Sequence, residues 1–329
     1  MNANSPGKSR PALRIIVRLL IVLVILIVAF AFVVWRAPLW VAGEVTQLQL
    51  SRAGIHSRWM LVDGYQTHYI EGGSGQPVVL IHGLGSEAQQ DWRNLAPRLV
   101  RAGYHVYAMD LLGYGRSAKP ADRSYSIPEE AKFVEAFLDA NHLSAIALGG
   151  VSMGGWIASS VALDQPQRVT RLLLIDSAGM SFKLSFDPAL FTPQTSGQID
   201  QLMALVTPNP PSMPEFVKAD FFRKVKRDGW VVQRALASMF GGADFLDQKF
   251  SALKMPMLIV WGKQDAMTPL ALAESMHRAA PQSVLAVYDG CGHVAVLTCV
   301  DRIAPTVLDF LSGSGPQAGQ IIEVPTQKP

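Results

Sequence analysis

Gly150-Val151-Ser152-Met153-Gly154-Gly155 follows the apolar run Ala145–Leu148 and precedes a helical stretch of small residues that includes Ala158, Ser159 and Ser160. A strand that passes into a helix over so few residues must turn sharply, and glycines flank the serine where a Cβ would clash with neighbouring backbone. The turn lifts Ser152 beyond the end of a sheet and aims the following N–H, that of Met153, at the same point. It also demands a strand in front and a helix behind, which restricts the chain to layered α/β architectures.

The rest of the sequence alternates accordingly. Strand-like runs stand at Trp59–Val62, Thr67–Ile70, Val78–Ile81, His105–Met109, Ala145–Leu148, Leu172–Ile175, Met257–Trp261 and Val284–Tyr288. Several are continuously apolar, as expected for strands buried on both faces. Helical patterns at Asp91–Arg101, Pro128–Asn141, Gly154–Asp164, Leu270–Ala279 and Asp301–Leu311 separate them, which predicts a mostly parallel eight-stranded sheet with helices on both faces. The alternation lapses between Gly179 and Met255, where Pro214–Asp228 and Val231–Phe240 read as two helices. This stretch, about 180–255, is expected to cap the ligand-binding end of a domain spanning 59–311. Residues 312–329, rich in Gly, Ser, Pro and Gln, are expected to be a disordered tail.

Leu19–Trp35 carries no charge. Extended back to Ile15 it would make about 31 Å of helix, enough for a hydrocarbon core of about 30 Å. Its Leu, Ile, Val and Phe residues favour insertion by roughly 4–8 kcal/mol, which outweighs the one off-centre Arg18. A cleaved signal peptide is the alternative. The run is long for one, and Trp40-Val41-Ala42 is a poor cleavage site, so residues 15–35 are read as a retained transmembrane anchor. Lys8, Arg10, Arg14 and Arg18 precede it with no acid before Glu44. The positive-inside rule then leaves residues 1–14 in the cytoplasm and the catalytic part on the extracytoplasmic (periplasmic if bacterial) side, after a connector at 36–58.

The net charge of +3 misleads about partners, because five of 29 basic residues and none of 26 acidic ones fall in the first 36 positions. The remainder is slightly acidic, which argues against a nucleic-acid surface. Cys291 and Cys299 make no disulfide framework; free thiols are favoured, with a bridge the open alternative in an oxidising compartment. Metal-ligand spacing is absent.

A serine hydroxyl needs a base. Of seven histidines, His293 in Gly290-Cys291-Gly292-His293 follows the last strand and opens the last helical region, where a loop can carry the imidazole over Ser152. The other histidines fit surface or packing roles better, with His82 ordering its own loop. The orienting acid is expected between serine and histidine. Asp265, just after the seventh strand in Trp261-Gly262-Lys263-Gln264-Asp265, is favoured, and Asp176, after the sixth, is the runner-up. Oxyanion donors are expected from the N–H of Met153 and, from His82-Gly83-Leu84-Gly85, that of Leu84. Asp110–Ser117 reads as a structural turn in which Arg116 pairs with Asp110.

Taken together, HGLG, DLLGYGRS, GVSMGG, WGKQD and GCGH, in this order over Val62–Leu311, resemble the α/β-hydrolase family. The layout is most similar to its membrane-anchored monoacylglycerol-lipase-like branch and to bacterial membrane-anchored phospholipases A. The resemblance implies Ser152 as nucleophile, His293 as base, Asp265 as acid, Leu84 and Met153 as oxyanion donors, and no cofactor or metal. Serine at the turn argues against the dehalogenase and epoxide-hydrolase branches. The anchor and an aromatic cap point to a lipid ester at a membrane (monoacylglycerol, lysophospholipid or phospholipid), with Trp230, Phe221 and Phe222 as substrate-binding candidates. Two alternatives stay open: a carbon–carbon bond hydrolase of aromatic degradation, which shares the triad, and a ligand-binding protein without turnover. A homodimer is a further open option.

Overall fold

The computed structural model describes residues 10–326; residues 1–9, with Lys8 and most of the expected cytoplasmic segment, and residues 327–329 of the expected tail lie outside the described residues. Helix α1 (Arg10–Arg36) is longer than the span expected from the apolar run, and none of Ala12–Arg36 is buried. It ends at Ala37 (φ −142°) because Pro38 disfavours a helical conformation in the residue before it. The chain restarts as α2 (Pro38–Arg52), which buries Leu50 against the domain.

Nine strands form one sheet: β1 (Ile55–Val62), β2 (Tyr65–Gly72), β3 (Pro77–Ile81), β4 (His105–Met109), β5 (Ile146–Val151), β6 (Val169–Ile175), β7 (Met257–Gly262), β8 (Ser283–Tyr288) and β9 (Ile321–Val324). Their order is β1-β2-β4-β3-β5-β6-β7-β8-β9. The β1–β2 and β2–β4 pairs are antiparallel, and every other pair is parallel. Strands β5, β7 and β8 are buried throughout, as continuous apolar runs require.

Helices cover both faces. One core packs α5 (Ile127–Ala140) and α6 (Met153–Asp164) through Phe133, Phe137 and Trp156. The other packs Trp92, Leu99, Ile303 and Phe310. These belong to α3 (Ala88–Trp92), α4 (Ala96–Arg101) and α11 (Val300–Ser312), the last preceded along the chain by α7 (Ser196–Val206), α8 (Glu215–Phe240), α9 (Leu270–Ala279) and α10 (Ala295–Thr298).

The structure corrects several expectations. The sheet has nine strands, not eight, and the tail is not wholly disordered: Ile321–Val324 pairs in parallel with β8 from Leu285 to Tyr288. The open edge of β8 offers unpaired backbone groups, and Arg302 fastens the added strand through the carbonyls of Val324 and Pro325. Strand β1 begins at Ile55 rather than Trp59, since its alternating exposure hides it from an apolar-run criterion. The helix expected over Asp91–Arg101 divides into α3 and α4, because Pro97 has no N–H to continue it. Conversely, the two helices expected on either side of Gly229 are one. That glycine is buried, facing Thr192, and packing offsets its roughly 1 kcal/mol propensity penalty.

One core group carries a pH-dependent liability. Glu130 on α5 is buried, and neither carboxyl oxygen has a hydrogen-bond partner of normal geometry among the described residues. Burial pushes its pKa up to about 8, against the pull of Arg123 and with the Glu129 charge adding to the rise. An acid whose native pKa is raised leaves folding unpenalised below its unfolded value and erodes stability as pH climbs from there to about 8. Glu130→Gln cannot ionise. It is expected to match wild type near pH 4.5 and to exceed it at pH 8.5 by roughly 3–5 kcal/mol, read as separated thermal midpoints of the detergent-solubilised chains. A gap of equal size at both pH values would show that ionisation is not its cause.

Candidate active site

Ser152 sits between the last residue of β5 and the first of α6 with φ +54° and ψ −121°. A non-glycine residue held there carries about 1–3 kcal/mol of backbone strain that the surrounding fold must absorb. The flanking glycines explain how. A Cβ on Gly150 would stand 2.1 Å from the Gly154 carbonyl oxygen, and one on Gly154 would stand 2.3 Å from that of Ile81. Ser152 N–H donates to Ile175 O, and its own carbonyl accepts from Gly155 and Ala178. The side chain is thereby thrust out at the carboxyl end of the parallel strands.

His293 Nε2 lies 2.9 Å from Ser152 Oγ, and His293 Nδ1 lies 2.8 Å from Asp265 Oδ2. The three residues follow β5, β7 and β8, all at the carboxyl end of these parallel strands. Asp265 is further held by the N–H groups of Met267 and Thr268 and by Thr268 Oγ1 at 2.6 Å. Burial works to lower the His293 pKa. The charge and hydrogen bond of Asp265 outweigh it, with Asp176 and Asp91 adding, and leave it above the ordinary imidazole value. Such an arrangement can pass the serine proton to the imidazole and stabilise the imidazolium that results.

Thr268 escaped the sequence reading. It stands three residues after Asp265 in a loop, the spacing at which a carboxylate meets a downstream N–H and hydroxyl, and that pattern was its one available signal. Asp176, the runner-up acid, does different work. Buried at φ +45°, it accepts from Gly262 N at 2.8 Å and Ala295 N at 3.0 Å, tying the end of β7 to the start of α10. Burial, then the neighbouring Asp265 charge, raises its pKa well above the usual carboxylate range.

Opposite Ser152, Gly83 gives its N–H to Asp91 Oδ2 at 2.9 Å, so the Leu84 N–H is the next donor along this loop. Met153 opens α6, where an N–H has no intrahelical acceptor. His82 orders the loop, bonding Gly83 O through Nδ1 and accepting from the Leu111 N–H through Nε2. Phe221, Phe222 and Trp230 are half-buried on α8. Trp230 packs edge-on against Tyr125 and beneath the Arg234 guanidinium. From this helix Val232, a residue without an aromatic signature, also approaches the loop, its Cγ2 lying 3.8 Å from where a Gly85 Cβ would stand.

A second Ser–His–Asp chain runs through Ser57, His68 and Asp110, with both links at 2.7 Å. It lacks the turn: Ser57 lies inside edge strand β1 and donates to Gln47. Asp110 also accepts the N–H groups of Ala88 and Arg116. Burial would raise its pKa, but the hydrogen bond and charge of His68 hold it below the usual value. His68 is thus a buried polar anchor rather than a surface group. The Arg116 side chain does not pair with Asp110 as expected; it reaches Glu44 of α2 at 3.1 Å.

Cys291 and Cys299 are joined by a disulfide, which corrects the favoured free thiols. The short α10 turns the chain back so that the two Cα atoms are 6.1 Å apart, and a spacing of eight residues does not reveal that return. The bridge closes the loop that carries His293. Replacing both cysteines with alanine is expected to cost about 2.5 kcal/mol of stability by chain entropy, measured by urea unfolding; a loss under 0.5 kcal/mol would count against that constraint.

A model of the family described as the α/β hydrolase fold matches residues 76–230, and one described as TAP-like protein matches residues 239–320. The 2-hydroxy-6-oxononadienedioate/2-hydroxy-6-oxononatrienedioate hydrolase 1 of Dechloromonas aromatica (strain RCB) is 30% identical over 271 residues, covering 75% of this chain and 91% of that protein. Lipase 1 of Psychrobacter immobilis is 28% identical over 268 residues, covering 77% and 82%. Among solved structures, a membrane phospholipase A described as a bacterial virulence factor superposes with a TM-score of 0.77 at 28% identity, covering 90% of this chain and 98% of that one.

Proposed function

This chain belongs to the α/β-hydrolase family and is a hydrolase, and on that premise we propose that it is a membrane-anchored serine hydrolase cleaving carboxylic esters of lipids through an acyl-enzyme. The observation that carries the reading is the unbroken hydrogen-bonded path from Ser152 through His293 to Asp265. Ser152 attacks the ester carbonyl while His293 Nε2 takes its proton, and Asp265 steadies the imidazolium through Nδ1–H. The N–H groups of Met153 and Leu84 receive the oxyanion. His293 then protonates the departing alcohol and afterwards deprotonates the water that releases the acid.

The lipid assignment draws on the uncovered apolar α1 and on how α8 joins it. Asp220 of α8 accepts the Leu39 N–H at 3.0 Å, and Arg223 donates to the Arg36 carbonyl at the anchor's end. We read residues 180–255 as a cap held at the membrane surface, between the leaflet and the triad. The basic residues ahead of the uncharged run Leu19–Trp35 and the Cys291–Cys299 bridge both favour an extracytoplasmic catalytic domain.

Fluorophosphonate labelling tests the nucleophile: wild type is expected to react and Ser152→Ala to remain unlabelled, whereas an unlabelled wild type would favour a binding protein without turnover. Lipid-ester profiling in detergent tests the substrate, and turnover of short soluble esters alone would refute the lipid assignment. The 30% identity to a dienedioate hydrolase favours a second reading, carbon–carbon bond cleavage by the same triad. Turnover of a chromophoric vinylogous diketo acid in preference to any lipid ester would select it.

A further inference from the structure

Helix α8 brings a cation as well as Val232 to the oxyanion loop. Lys224 Nζ lies 3.4 Å from the carbonyl oxygen of Gly85. That residue is two positions beyond Gly83, where a Cβ would stand 3.5 Å from the Ser152 Cβ. Lys119 Nζ, on the loop after β4, is held by two further carbonyls, those of Gly115 at 2.9 Å and Ser117 at 3.4 Å. Arg227, one turn along α8 from Lys224, occupies Asp228 through two parallel hydrogen bonds. The groups sense one another. Burial, first, lowers the Lys119 pKa, Asp228 and Asp110 oppose that, and the charges of Arg227 and Lys224 add to the fall.

Arg227 thus already occupies Asp228, and the two lysines beside it have no carboxylate partner within ion-pair distance among their described contacts. Lys119 and Lys224 are held only by neutral carbonyls among their described partners. Like charges gathered near one another repel and are relieved by an anion. A long 3.4 Å contact to a carbonyl is readily exchanged for a charge-assisted one. In a glycerophospholipid only the glycerol backbone separates the ester carbonyl from the phosphodiester, the short span from Ser152 past Gly83 to Gly85. A monoacylglycerol places only hydroxyls there.

We infer that Lys224 and Lys119, backed by Arg227, form a subsite for the phosphodiester of a glycerophospholipid, which makes the enzyme a phospholipase or lysophospholipase rather than a monoacylglycerol lipase. The inference rests on the lipid-ester reading above and narrows it.

The test compares kcat/KM for 1-lauroyl-lysophosphatidylglycerol and 1-lauroylglycerol, two esters with one acyl chain, in the same nonionic micelles and with the full-length protein. Wild type is expected to favour the lysophospholipid. Lys224→Met and Lys119→Met are each expected to lower the ratio of the two values by about tenfold or more, through KM rather than kcat, as loss of a charge-assisted hydrogen bond would. Lys226→Met removes an exposed charge from the same helix and is expected to leave the ratio where it was. An unchanged ratio in Lys224→Met and Lys119→Met overturns the subsite. So does an equal loss on both substrates, which would assign the lysines to supporting the loop. An equal fall in Lys226→Met overturns it too, in favour of diffuse attraction. A wild type that cleaves 1-lauroylglycerol alone refutes the subsite and leaves the lipase reading intact; one that cleaves neither lipid refutes both.

Discussion

Ser152→Ala is expected to lower kcat on lipid esters by roughly 10⁵- to 10⁶-fold, equivalent to about 7–8 kcal/mol of transition-state stabilisation, while KM changes little. The hydroxyl's described hydrogen bond is to His293, so its removal leaves the loop around Leu84 and the α6 N-terminus in place to bind substrate. Alanine at φ +54° is strained as serine is, so the fold is expected to survive. Nucleophile and base act as one unit. His293→Ala is therefore expected to cost about as much, and the double variant little more than either. A Ser152→Ala enzyme within 100-fold of wild type, or costs that add across the pair, would assign the nucleophile elsewhere. Ser57, with its own histidine and aspartate, would be the first place to look.

Asp265→Asn is expected to reduce kcat by roughly 10³- to 10⁴-fold and to move the acid limb of the pH profile downward. An asparagine can present an N–H to His293 Nδ1 and so favour the tautomer with its proton on Nε2, which cannot accept from Ser152. The shift in pH follows from the cause of the raised imidazole pKa. His293 must be neutral to act, so a pKa held above the ordinary value means that kcat/KM falls as pH drops through that raised value. Asp265 is the largest of the groups that raise it, ahead of Asp176 and Asp91. Removing its charge lets burial pull the pKa down, and the residual activity is expected to persist to lower pH. A limb that stays in place would assign the raised pKa to Asp176 and Asp91 instead.

Ser152 could be picked out of the sequence because its surroundings are local: Gly150 and Gly154 are there to avoid clashes with backbone a few residues or one strand away. Strands β5, β7 and β8 were legible for a similar reason, since burial on both faces writes itself as an unbroken apolar run, whereas the start of half-exposed β1 was not. Asp265 and His293 were read from their order along the chain and their place after β7 and β8. Their distances to one another were not legible at all.

What escaped notice depends on surfaces that meet only after folding. Ile321–Val324 is too short to announce a strand and becomes one because β8 leaves an edge open. His68 looks like any surface histidine until β1, β2 and Asp110 close around it. Cys299 returns to Cys291 through the bend at α10, and Lys224 reaches Gly85 across 139 positions of chain.

By itself, then, the sequence determined the layered α/β class, the sharp turn at Ser152, the long apolar N-terminal run and the order of Ser152, Asp265 and His293 along the chain. Each of these follows from sterics or periodicity acting over a few neighbouring residues. The tertiary structure alone decided which charge reaches the loop at Gly85, which cysteines meet, what covers β8 and how α8 contacts the end of α1. Contacts between distant positions are selected by the packing of whole elements, and no short stretch of chain records that choice.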